Sequence, residues 1–175
     1  LDYTDNDPIQ FWKTMAIVIG SVMQTDLYER LLPLFNRQPR ISIEVVVDLV
    51  LVEITSNNKE LELILDDYQA ITHSVIHRSV TRLISKLPEN FRLINASRSE
   101  LPLPLYKWKA KSYVNEIEAP EIKFTYKETA HYLAGKSLPS NDLNTVHEIY
   151  KKTEGWPIGI KLVAKIIERE MLESV

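Results

Sequence analysis

Leu61-Glu62-Leu63-Ile64-Leu65-Asp66-Asp67 decides how this chain reads. A compact aliphatic strand runs directly into two carboxylates. A helical pattern follows, with Ile76, Val80, Leu83, Ile84 and Leu87 on one face and Pro88 as its stop. A second strand, Phe91 to Ala96, then enters Ser97-Arg98-Ser99. Strand and helix alternating in this way predict an α/β layer: a parallel sheet with covering helices.

Ligands of such sheets sit beyond the carboxyl ends of the strands, so Asp66 and Asp67 would project into that crevice. A first acid there can hold Mg²⁺ directly or through water, and a second can orient or deprotonate an attacking water. Arg98, at the end of the second strand, has the chemistry to bind a terminal phosphate and report its loss. Each residue also has a plainer reading. Asp is common in turns after strands, and a lone surface Arg pairs with a neighbour such as Glu100 or stays in solvent.

Upstream, Asp7-Pro8-Ile9-Gln10 has the form of a helix start, with Asp7 as cap and Pro8 at the first helical position. Trp12, Met15, Ala16, Ile19, Val22 and Met23 continue at spacings of three and four. A short helical piece from Leu27 is expected to end near Pro33. Ile41 to Ile54 is β-branched enough for a strand and long enough for a buried helix, and the helix is taken. Downstream, Leu101-Pro102-Leu103-Pro104 excludes a central strand or helix interior. A third short strand is expected at Tyr113 to Ile117.

The last third changes character, with a boundary placed near Pro120. Thr125-Tyr126-Lys127-Glu128 is a capping box opening a helix that ends at Gly135. Ser140 to Thr153 reads as a second helix. Pro157 starts a third, with Leu162, Val163, Ile166 and Ile167 expected as its buried stripe. Between them, Gly155-Trp156-Pro157 is either a plain helix connection or a rigid proline ring and an aromatic offered to a flat base.

Composition narrows the class. The 175 residues carry 21 Lys plus Arg against 24 Asp plus Glu, a net charge of −3, which argues against coating phosphate backbones. Apolar residues at 45% and charged residues at 26% fit a globular domain. The absence of cysteine excludes disulfides, thiolate zinc sites and cysteine nucleophiles, and fits a cytoplasmic setting. His73 and His77 have the spacing of paired zinc ligands but lack an evident third. Lys107, Lys109 and Lys111 form a small basic patch near several acids, read as a solvated face. No apolar run approaches a membrane span, and the acidic start is unlike a signal peptide. With Leu at position 1 and every Met internal, a piece of a longer protein is expected. None of the four glycines builds a phosphate-cradling G-x-x-x-x-G-K-[ST] loop.

Taken together, four segments resemble the nucleotide-binding region of the large LuxR-type transcriptional activators of the maltose-regulon type, which are signal-transduction ATPases with numerous domains. Leu1 to Trp12 is similar to the family's segment just downstream of the phosphate loop. Leu63 to Ile71 resembles its Walker B strand, where many members carry His at the position of Gln69. Ala96 to Leu105 resembles the sensor strand with its proline-rich exit, and Thr153 to Leu162 the motif opening the last lid helix. The resemblance implies a partial P-loop-NTPase-like core over residues 1–120 and a helical lid over 121–175. It implies that Asp66 holds Mg²⁺, that Asp67 is the catalytic or water-orienting acid, and that Arg98 senses the γ-phosphate. Pro157, with Trp156 beside it, would lie near the adenine.

The resemblance further implies a slow regulatory ATPase as parent. ATP would favour a self-associating state and ADP the resting one. A small-molecule or protein inducer would act through other domains, and DNA would be met by a helix-turn-helix outside this chain, which itself contacts neither DNA nor membrane. Without a phosphate loop, this piece alone is expected to be inactive and to bind no nucleotide tightly. In related ATPases the phosphate-loop strand lies beside the sensor strand. Its absence here predicts that the Tyr113 to Ile117 strand pairs with Phe91 to Ala96, or that another chain covers the edge. From the residues alone a second reading stays open: an α/β module that binds protein partners without nucleotide.

Overall fold

Asp7 starts the first helix as its chemistry requires, its carboxylate accepting from the backbone N–H groups of Ile9 and Gln10, with Pro8 at the first turn. The structure, a computed structural model, describes residues 1–36, 42–57, 59–136 and 143–173. The chain divides into two units, Leu1–Tyr113 and Val114–Val175.

In the first unit, α1 (Pro8–Met23) buries Phe11, Trp12, Met15, Ala16, Ile19 and Met23. Its stripe packs against α2 (Leu27–Phe35), α3 (Ile43–Ser56) and α4 (Ser74–Ile84). The helix expected to end near Pro33 instead runs through it to Phe35. Pro33 lies inside the helix and removes one backbone bond there, and burial of Leu31 and Phe35 carries the helix past it. The helix reading of the β-branched stretch holds: α3 buries Ile43, Val46, Val47, Val50, Leu51 and Ile54. Those positions recur every three or four residues, so burial on one face outweighs the β propensity of valine. Residues 37–41, in the expected polar connection and the start of that stretch, lie outside the described residues, as do 140–142 at the start of the expected Ser140 helix.

β1 (Leu61–Leu65) and β2 (Phe91–Asn95) pair in parallel, with Leu63 opposite Leu93 and Leu65 opposite Asn95. The period of two sorts the side chains. Leu63, Leu65 and Phe91 are buried, whereas Glu62, Ile64, Arg92 and Ile94 are exposed. Helix α4 is the crossover between the strands.

The third strand expected at Tyr113 to Ile117 does not form; the segment is irregular, and Tyr113 and Ile117 are 73% and 72% exposed. Among the described residues the sheet has two strands, so the expected pairing of this segment with β2 is corrected. Local bonds take the backbone donors a strand would use. Tyr113 N–H donates to the Trp108 carbonyl, closing the exit of α5 (Leu105–Lys109). Just past it, Glu118 caps α6 (Ala119–Ile122), its N–H donating to the Glu121 carboxylate.

The second unit has its own small core of Leu133, Val146, Ile149, Ile160 and Ala164, drawn from α7 (Tyr126–Ala134), α8 (Leu143–Thr153) and α9 (Pro157–Glu173). Of the stripe expected to be buried on α9, Val163 and Ile167 pack against this core, whereas Leu162 and Ile166 are exposed because Ile160 and Ala164 set the buried face. The capping box at α7 is complete: Thr125 accepts from Glu128 N–H, and the Glu128 carboxylate accepts from Thr125 N–H. The turn before α9 is tight. Gly155 has φ +79°, its carbonyl accepts from Phe124 N–H, and a Cβ there would sit 2.3 Å from the Phe124 carbonyl oxygen.

Candidate functional site

The parallel register brings the carboxyl ends of β1 and β2 side by side, and backbone bonds lace the turns that follow. Ala96 N–H donates to the Leu65 carbonyl at 2.9 Å, and Tyr68 N–H donates to the Ala96 carbonyl at 3.0 Å. Tyr68 is fully buried and anchors the acidic turn, its hydroxyl 3.1 Å from His77 Nδ1. Burial pushes the Tyr68 hydroxyl well above its ordinary range, and burial with the charge of His73 lowers His77.

Asp67 occupies the left-handed backbone region at φ 53°, which Asp tolerates better than most residues. Its N–H donates to the Asp66 carboxylate at 2.9 Å, and its carbonyl accepts from Ala70 N–H. This turn carries both carboxylates beyond the strand: Asp66 is exposed, and the Asp67 side chain is 44% exposed. Arg98 Nε stands 3.6 Å from Asp67 Oδ1, on a side chain that is 85% exposed. The strand ends thus bring together three of the residues singled out in the sequence: Asp66, Asp67 and Arg98.

Gln69 joins them, and sequence reasoning noted it only as a departure from a family motif. Its Nε2 donates to Asp67 Oδ1 at 2.7 Å, and its Oε1 accepts from Arg98 N–H at 3.1 Å. Asn6 is a second residue the sequence did not mark. Its side chain accepts from the N–H groups of Thr72 and His73 and donates to the Thr72 hydroxyl, tying the turn Tyr3–Asn6 to the exit of the acidic loop.

The oxygens of Asp66 and Asp67 suit Mg²⁺, a hard cation that keeps waters and takes one or two carboxylates along with substrate phosphates. Asp66 is the better placed, because Asp67 is already engaged by Gln69 and Arg98. At the same strand end, both polar side-chain atoms of Asn95 are buried without a hydrogen-bond partner among the described residues. The two carboxylates therefore suit the metal.

Trp156 and Pro157 lie in the second unit. Trp156 is 40% exposed, and one face of its ring is approached by the Lys123 ammonium, 5.3 Å from the ring centre. Lys123 also pairs with Glu154 at 3.2 Å. The histidine pair has other duties: His73 caps α4 by accepting from Val75 N–H, and His77 faces Tyr68. No group of three or more metal-ligating side chains occurs among the described residues. In the lysine patch, Lys107 and Lys111 lie over the rings of Tyr106 and Tyr113.

The parallel strand pair thus carries two acids and an arginine at its carboxyl ends. The chain is similar to HTH-type transcriptional regulators MalT. It is 24% identical over 164 residues to that of Vibrio cholerae serotype O1, 22% over 169 to that of Serratia proteamaculans and 22% over 166 to that of Yersinia enterocolitica. Each alignment covers 94% of this chain and 18% of the relative, so the chain spans about a fifth of the length of the curated relatives it matches. No protein-family model matches it. The described helices include none long and apolar enough to cross a membrane.

Proposed function

We propose that this chain supplies the acidic strand end, the sensor arginine and the helical lid of an ATP-dependent switch in a longer, cytoplasmic transcription regulator. The carrying observation is the approach of the Arg98 guanidinium to Asp67 across adjacent strand ends at 3.6 Å, with Gln69 bonding both Asp67 and the Arg98 backbone N–H. In this reading Asp66 holds Mg²⁺ and Asp67 orients the attacking water. Arg98 turns from Asp67 toward the terminal phosphate when a triphosphate arrives, because a phosphate offers the guanidinium a stronger, bidentate partner. Mg²⁺, when bound, supplies charge neutralisation on the phosphates. Trp156 and Pro157, in the second unit, offer a flat apolar surface of the kind a purine base takes. Phosphate-gripping backbone, inducer recognition and DNA contact belong to other parts of the polypeptide, and the ATP state promotes self-association.

The full-length protein carrying Arg98→Ala tests this. Titration with ATP and with ADP, each with Mg²⁺, is expected to show ATP weakened at least about tenfold, as for loss of one charge-assisted contact, and ADP little changed. Equal weakening of both, or of neither, would contradict the role given to Arg98.

One observation favours a second reading, a partner-binding module that needs no nucleotide. Ile158, Leu162 and Ile166 recur every four residues along α9 and are 62%, 54% and 57% exposed. Failure of the native full-length protein to bind either nucleotide would move that reading to the front.

A further inference from the structure

We infer that Gln69 is a positioning residue that couples the acidic turn to the sensor turn, an inference that rests on the ATP-switch reading for its functional half. Gln69 is three residues beyond Asp66, partly buried, and uses both ends of its amide at once. The donor end fixes one oxygen of Asp67, leaving the second to face a ligand. The acceptor end holds the backbone N–H of Arg98, so the start of the sensor turn is registered against the acidic turn. Asp67 needs such support: a non-glycine residue at φ 53° keeps that conformation only where its surroundings over-determine it. The same amide therefore sets the spacing between the acid and the backbone from which the Arg98 side chain extends. Gln69 thus ties the Asp67 carboxylate to the main chain of Arg98 without any contact between Gln69 and the ligand.

Substitutions separate the two ends of the amide. Gln69→Leu removes both bonds. Gln69→Glu keeps an acceptor for Arg98 N–H but sets a carboxylate against Asp67. Gln69→His, as a neutral imidazole at pH 8, offers one donor and one acceptor and restores the pair. In the ligand-free full-length protein, hydrogen exchange at the Arg98 amide is expected to rise roughly five- to tenfold in Gln69→Leu and to stay near native in Gln69→Glu and Gln69→His. ATP turnover is expected to fall about tenfold or more in kcat for Gln69→Leu and Gln69→Glu, with KM within about twofold, and to recover in Gln69→His. A merely structural role would lower all three variants in proportion to their melting temperatures.

Unchanged exchange at Arg98 in Gln69→Leu overturns the inference, as does native kcat in both Gln69→Leu and Gln69→Glu. Should Gln69→Leu not fold, Gln69→Glu and Gln69→His decide it by their opposite turnover. Should the native protein bind no ATP, the switch reading fails, while exchange at the Arg98 amide still judges the coupling by itself.

Discussion

Asp67 and Gly155 both lie in the left-handed backbone region, and they answer the demand differently. Asp67 is a side-chain-bearing residue at φ 53°, held by bonds from its neighbours, so its conformation is tied to the site it serves. Gly155, at φ +79°, meets a purely steric demand, since a Cβ would collide with the Phe124 carbonyl oxygen at 2.3 Å. Gly155→Ala combines an unfavourable dihedral with a backbone clash, and it is expected to destabilise the Val114–Val175 unit by about 2 kcal/mol or more. Hydrogen exchange at Phe124 N–H, which donates to the Gly155 carbonyl, reports this directly. Exchange unchanged from native would show that the turn relaxes without loss.

The two residues differ in how far the sequence discloses them. A glycine before Trp156-Pro157 is visible as a turn signal. Asp66, Asp67 and Arg98 stand out because each closes a strand of evident pattern. Gln69 does not, because its meaning lies in a contact with Arg98, 29 positions away, that exists only once two strands pair in register.

Among the elements, the α3 to α4 contact carries the clearest electrostatic tie. Arg82 grips Asp48 with two bonds, Nε to Oδ1 at 2.9 Å and a terminal nitrogen to Oδ2 at 2.6 Å, and Lys86 adds a third at 3.1 Å. The hydrogen bond from Arg82 leads in drawing the Asp48 carboxyl down to about 2. Because this folded value lies below the unfolded one, the stabilisation is complete above about pH 4 and is lost as pH falls through 2. The Asp48 side chain is 43% exposed, so solvent screening holds the contribution to under about 1 kcal/mol. Asp48→Asn is expected to lower the urea midpoint slightly at pH 7 and to lose less than native on going to pH 2.5. Parallel losses in the two proteins would show the pair contributes nothing.

The elements also show where pattern reading works. Long periodic segments such as α1 and α4 are legible because burial on one face writes itself into spacing. α3 is ambiguous by residue type and resolved by length. The expected strand at Tyr113 to Ile117 fails for a local reason. Asn115 and Glu116 break an apolar run of the kind that marks β1, and the Tyr113 N–H goes to the Trp108 carbonyl instead of a neighbouring strand.

At the scale of the whole molecule, the chain carries two separate apolar cores, one under the strand pair and one within the helical unit. The first places acids and an arginine at adjacent strand ends; the second presents an indole and a proline at the head of a long helix. The chain is similar to HTH-type transcriptional regulators MalT over 18% of their length, and the function proposed for it is a nucleotide switch. Such a switch requires that binding and turnover be separable, because the bound state is the signal and turnover ends it.

The most direct test is therefore ATP binding and ATP turnover, measured side by side in the full-length protein and in its Asp67→Asn variant. Asn keeps the shape of Asp67 and the contact from Gln69 through its side-chain oxygen, but it cannot accept a proton from the attacking water. The expected result is ATP affinity within about threefold of native and turnover reduced at least about a hundredfold. Turnover equal to native would remove Asp67 from the chemistry, and absence of ATP binding in the native protein would contradict the switch itself.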